Sequence, residues 1–187
     1  MNQPNQDQRT AAARLQLLRG GTTAAEALAF FDSLPPLHLD EAAGSWRGSE
    51  VPTGHPLNGV LGSLGWHGKR FDGVEAAHPL VFETRSGRLF EVNPGLVPLK
   101  LALHLAPLLR RRAVGRLIRP VLQLARTTRP RARLRMMEYR GVGSATMIYD
   151  ALPINDAFRR VDSTTLLGAM DLRGPGSPFI FSLHRIP

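Results

Sequence analysis

The sequence predicts a mainly β protein with helical additions: an antiparallel β-barrel with helices before it and a helical insertion against one end. Three observations predict it. The stretch GSWRG, Gly44 to Gly48, sets an indole between two glycines, and a large ring so placed fills a tight space such as the closed end of a barrel. Towards the C-terminus the runs ARLRMMEYRG, SATMIYDALP, DAFRRVD, TLLGAMD and FIFSLHRI follow one another at short, regular spacing, the pattern of a β-meander. At 187 residues without cysteine, the chain is long enough to bury a core with no disulfide or thiolate metal site. It reads as a single domain, 1–187, in four parts: N-terminal helices (1–40), first strands (41–95), a basic amphipathic helical insertion (96–128) and the meander (129–187).

TAAARLQLLRGG ends on a glycine pair that suits a helix stop, and TTAAEALAFFDSLPP opens with Thr23 and Glu26 in capping-box spacing before prolines end it. After GSWRG, LNGVLGSLG suits a two-turn helix. GWHGKRF, PLVFET and RLFEV read as strands, the last two joined through RSG as a hairpin. From Leu96 to Ala125, Leu109, Ala113, Val114, Leu117, Ile118, Val121, Leu122 and Ala125 recur at helical spacing, with Arg112, Arg116, Arg119 and Gln123 opposite. Pro98, Pro107 and Pro120 predict two or three short helices in place of one rod. In the last strand Phe179, Phe181, Leu183 and Arg185 share one face.

The formal charge is +9, yet eleven arginines and one acid, Glu138, lie between Arg110 and Arg140, so the basic character belongs to that segment. A solvated helix face is one reading. Another is a portal, in which Arg112, Arg116 and Arg119 meet an anionic membrane or an acyl carboxylate. Nucleic acid is disfavoured, because no aromatic for base stacking occurs in the segment before Tyr139. The polar N-terminus lacks the apolar core of a secretory signal, no apolar run is long enough to span a bilayer, and the absence of cysteine fits a reducing cytoplasm, the expected location. Phosphate loops and the G-x-S-x-G nucleophile elbow are absent.

GSWRG with TGHPLNGVLGSLGWHGKRFDG and HPLVFE resembles the GXWXG-motif family of uncharacterised proteins, and the block from Arg133 to Asp171 is similar to its companion C-terminal domain. A looser similarity runs to the calycin-like barrels, the lipocalins and fatty-acid-binding proteins. That resemblance implies that Trp46 packs under Arg185 from the last strand to close the barrel. An arginine over an indole gains cation–π attraction while its guanidinium binds chain-end carbonyls.

Such a barrel holds one small molecule, and the expected function is binding of a hydrophobic ligand of fatty-acid or polyketide-like type. Its expected contacts are His55, Lys69, Met136, Met147, Phe158, Met170, Phe179 and Phe181, although the same residues also suit an ordinary core. The alternative is a cofactor-independent lyase, isomerase or cyclase, an activity that the calycin resemblance allows, working through a buried acid–base set drawn from Asp150, Asp156, Tyr139, Tyr149 and His78. A buried carboxylate is held above its ordinary pKa and can exchange protons, whereas Asp and Asn beside proline also serve as turn caps. Lys69 and Asp72 are candidates to pair or to fix an anionic head group. His55, His67 and His78 match no compact metal motif, so no metal or cofactor is expected, with haem through one histidine as the alternative.

Overall fold

The structure is a computed structural model and describes residues 6–174 and 176–187. Helices α1 (Gln6–Arg19), α2 (Ala24–Ser33) and α3 (Leu39–Ala42) precede strand β1 (Gly44–Glu50). Thr23 caps α2: its hydroxyl accepts the Glu26 N–H, and Glu26 reaches back to the Thr23 N–H, the reciprocal pair expected from the spacing. Then come α4 (Val60–Leu64), β2 (Trp66–Gly73), β3 (Ala76–Glu83) and β4 (Leu89–Val92). The insertion forms α5 (Leu99–His104), α6 (Ala106–Leu109) and α7 (Arg112–Leu122), followed by the short β5 (Arg126–Thr127). The meander is β6 (Ala132–Tyr139), β7 (Val142–Tyr149), β8 (Ile154–Arg160), β9 (Thr165–Leu172) and β10 (Phe179–Arg185).

The strands pair in the order β2-β1-β10-β9-β8-β7-β6-β3, and β3 pairs again with β2, which closes an eight-stranded antiparallel barrel. Strands β4 and β5 extend from β3 outside the ring. The closure is narrow at one seam. β3 meets β6 at Ala77 and Ala132 and then turns to β4 through Val81 to Glu83.

Strand alternation divides the apolar residues into two cores. Phe158, Leu166, Met170, Phe179, Phe181 and Leu183 fill the barrel, whereas Ala157, Leu167, Ala169 and Ile180 on the outer face are covered by Leu15 of α1 and Phe30 and Phe31 of α2. The last strand therefore divides as its period-2 pattern predicts.

The barrel end is closed as expected. Trp46 and Arg185 are register partners, the guanidinium lies 4.2 Å from the indole centroid, and it donates to Ala43 O at 2.5 Å and Glu41 O at 2.6 Å. The indole Nε1 donates to Ala42 O at 2.8 Å, so the ring is buried with its one polar atom satisfied.

The insertion departs from expectation in two ways. Pro98 precedes α5 and Pro107 lies in the first turn of α6, but Pro120 stays inside α7. Proline deprives the carbonyl four residues back of its helical partner, and that carbonyl, Arg116 O, instead accepts from Arg85 Nη2 at 3.0 Å. The inward stripe is also narrower than the sequence pattern. Val114, Ile118 and Leu122 face the core, while Leu117 is 78% and Val121 58% exposed. Among the described residues, no helix is long and apolar enough to cross a membrane.

Candidate functional site

The alternation of β2 is broken by a bulge. Trp66, Lys69 and Phe71 are all buried, although strict alternation would put Trp66 on the face opposite the other two. The extra residue is His67, between the paired Trp66 and Gly68, and at Gly68 a Cβ would stand 1.9 Å from Trp46 O, so only glycine permits β1 to approach this closely. One consequence is that a lysine enters an apolar interior.

There it meets two residues of the meander. Lys69 Nζ lies 2.8 Å from Asp156 Oδ2 and donates to Pro79 O at 3.1 Å and, more weakly, towards Tyr149 Oη at 3.4 Å. It also stands 5.0 Å from the Phe181 ring centroid, 5.7 Å from that of Tyr149 and 5.8 Å from that of Trp66. Asp156 and Tyr149 come from facing strands. β7 turns its odd residues inward and β8, after the turn at 150–153, its even ones, so Met147, Tyr149, Ile154, Asp156 and Phe158 are all buried.

The cluster lies in the wall of a cavity of about 100 Å³, otherwise lined by apolar groups that include Leu80, Phe82, Met170, Phe179 and Phe181. Leu61 of α4 and Leu99, Ala102 and Leu122 of the insertion cover it. Burial pushes the Asp156 carboxyl above its ordinary pKa, against the opposing effects of Lys69 and then Tyr149. Burial, reinforced by the nearby Asp156 charge, holds the Tyr149 phenol far above its usual range. Neither Asp156 oxygen receives a well-aligned hydrogen bond among the described residues. The result is a single polar pole in an apolar chamber, equipped to donate from Lys69 or Tyr149 and to accept at Asp156.

Lys69, Tyr149, Asp156, Met170, Phe179 and Phe181 thus converge on the cavity. Met147 and Phe158 are fully buried in the same core but do not border it. His55 is buried against Phe179, ring centroids 5.5 Å apart, and its Nδ1 accepts the Leu57 N–H. Desolvation holds its pKa below the usual histidine value.

Five expectations are corrected. Asp150 is exposed and lies 3.6 Å from Arg133, because β7 turns its odd residues inward and Asp150 follows Tyr149 on the opposite side. Tyr139 packs on Phe31 of α2, ring centroids 6.0 Å apart, in the outer core. His78 is buried but faces Asp72 at 3.3 Å and Arg70 at 3.1 Å, away from the cavity lining. Met136 is 44% exposed: the neighbouring hairpin has already turned where Val74 O accepts the Leu134 N–H, leaving β6 unflanked beyond it. Asp72 likewise pairs with Arg70 and His78, not with Lys69. His67 faces Glu83, so the three histidines stand apart, and no group of three His, Cys, Asp or Glu suited to a metal occurs among the described residues.

The sequence reading missed Trp66 altogether. Its ring meets Phe181 edge-on and fits over Gly48, where a Cβ would lie 2.3 Å from Trp66 Cη2. The second glycine of GSWRG therefore makes room for the other tryptophan. Residues 29–87 match the GXWXG protein family, and residues 130–185 match a domain of unknown function, DUF4334. Their strands complete one barrel, and the polar pole draws Lys69 from the first and Tyr149 and Asp156 from the second. The crystal structure of a protein from Thermomonospora curvata is similar, with 29% identity, 95% of this chain and 99% of that chain covered, and a TM-score of 0.69. No curated protein matches.

Proposed function

We propose that the barrel binds a lipophilic small molecule, of fatty-acid or polyketide-like type, in the cavity beside Lys69, Tyr149 and Asp156. The observation that carries this reading is the placement of an ammonium, a phenol and a carboxylate in the wall of an otherwise apolar cavity, where such groups are costly unless they pair or serve a task. At about 100 Å³ the chamber takes a group of roughly one small ring; a longer ligand extends beyond it. We assign the protein to the cytoplasm, on its lack of cysteine.

Methyl NMR tests the site directly. Titration with cyclohexanone is expected to shift the Met170 methyl and the Trp66 indole N–H saturably while the exposed Met136 methyl stays in place. Equal shifts at Met136, or none at Met170, would refute binding in the cavity.

The raised pKa of Asp156 favours a second reading, acid–base catalysis on a bound carbonyl compound. Asp156 would take a proton from the carbon next to the carbonyl while Lys69 and Tyr149 hold the developing oxyanion; return of the proton to the same carbon gives exchange, and its delivery to another carbon of a conjugated enolate would complete an isomerisation. In D2O, wild type is expected to accelerate deuterium uptake into cyclohexanone. Asp156→Asn should lose the acceleration and keep the Met170 shift. No acceleration at saturation would sink this chemistry for ketones and leave the binding reading.

A further inference from the structure

We propose that the ligand is an amphiphilic anion, whose carboxylate or phosphate sits in a groove walled by Arg110, Arg112, Arg116 and Arg119 and whose apolar end passes Trp66 into the cavity. This rests on the reading of the cavity as a ligand site. The groove has a volume of about 690 Å³ and lies between the α6–α7 segment and the strip formed by β1 and α4. Its lining holds four arginines and one acid, Glu50. The Glu50 carboxylate is already engaged by the Gly59 and Gly62 N–H groups. None of the four guanidiniums is paired with a carboxylate among the described residues; Arg119 donates to Leu64 O at 3.0 Å, and Arg110 to Ala106 O at 3.4 Å.

Four like charges held on one wall repel, and an anion relieves that repulsion. The guanidinium fork matches the oxygens of carboxylate and phosphate. Trp66 supplies the connection. It borders both the groove and the apolar cavity, is nine-tenths buried, and its indole Nε1 has no acceptor among the described residues. A chain threaded past the ring places an acyl end beside Phe179 and Phe181 and a charged head among the arginines, which resolves the mismatch between a small chamber and a lipophilic ligand.

The test compares decanoate and decyl phosphate, below their micelle concentrations, with neutral decan-1-ol, read from the Trp66 indole and Met170 methyl signals. Wild type is expected to bind the two anions about tenfold more tightly than the alcohol, the effect of one charge-assisted hydrogen bond. Arg112→Gln/Arg116→Gln is expected to remove that preference while leaving decanol affinity and the melting temperature unchanged, since both side chains are exposed. Equal affinities for decanol and decanoate in wild type would overturn the proposal and leave the cavity reading intact. Failure of all three probes to move Met170 would overturn both. Vesicles of phosphatidylglycerol and of phosphatidylcholine identify the source of the head group. Arginine-dependent binding to the former, in addition to binding of free decanoate, assigns the head group to a bilayer lipid, whereas binding of decanoate without binding to either vesicle assigns it to a free anion.

Discussion

Trp46→Ala is expected to cost about 3–5 kcal/mol of folding stability, the range for deleting a fully buried aromatic ring. The side chain is 1% exposed, its Nε1 is bonded to Ala42 O, and it supports the guanidinium that ties β10 to the chain entering β1. Truncation leaves a cavity, an unfilled carbonyl and an arginine without its ring. Arg185→Ala should cost less, about 1–2 kcal/mol, because it removes partly exposed bonds and the cation–π contact but no core volume. Urea unfolding of both variants and of the double variant checks the assignment. Because the two groups touch, the double variant should fall short of the sum of the singles. A Trp46→Ala loss below about 1 kcal/mol would contradict burial of the ring at a barrel closure.

Lys69→Met at neutral pH is expected to cost about 3–5 kcal/mol, since it leaves Asp156 buried without its counter-charge. Lys69→Met/Asp156→Leu should regain most of that loss, because apolar groups of similar size suit the remainder of the cavity wall. The sign of the pH dependence follows from the direction of the Asp156 shift. Burial raises its folded-state pKa above the unfolded value, so the folded protein takes up this proton first. The contribution is fully present below the unfolded value and is lost as pH rises through the folded one. Lys69 opposes the effect of burial, so removing it raises the carboxyl further. The stability gap between wild type and Lys69→Met should therefore shrink on acidification from pH 7 to pH 5. A gap independent of pH, or a single variant as stable as wild type at pH 7, would show that the carboxylate is not buried against this lysine.

The strands of the meander, the inward face of β10 and the capped α2 were legible in the sequence, and the calycin-like resemblance implied the pairing of Trp46 with Arg185. The first three follow from local spacing, namely period-2 alternation and a capping box. The tertiary structure decided which candidates share a space. Asp150 and Asp156 sit in similar polar and apolar contexts, yet the turn between β7 and β8 leaves one in solvent and the other in the core. Met136 and Leu134 share a strand face, but only Leu134 still has a neighbouring hairpin beside it. The periodicity of the insertion groups Leu117 and Val121 with Val114 and Ile118, whereas contact with α4 and the barrel buries only the narrower stripe. Trp66 and Lys69 come to the same wall because a bulge at His67, where β2 pairs with β3, reverses the alternation of β2, while β1 approaches Gly68 too closely for any side chain. That contact joins residues 22 positions apart, Trp46 and Gly68, and no local pattern in either strand encodes it; the site depends on a backbone approach that exists only once the barrel has closed.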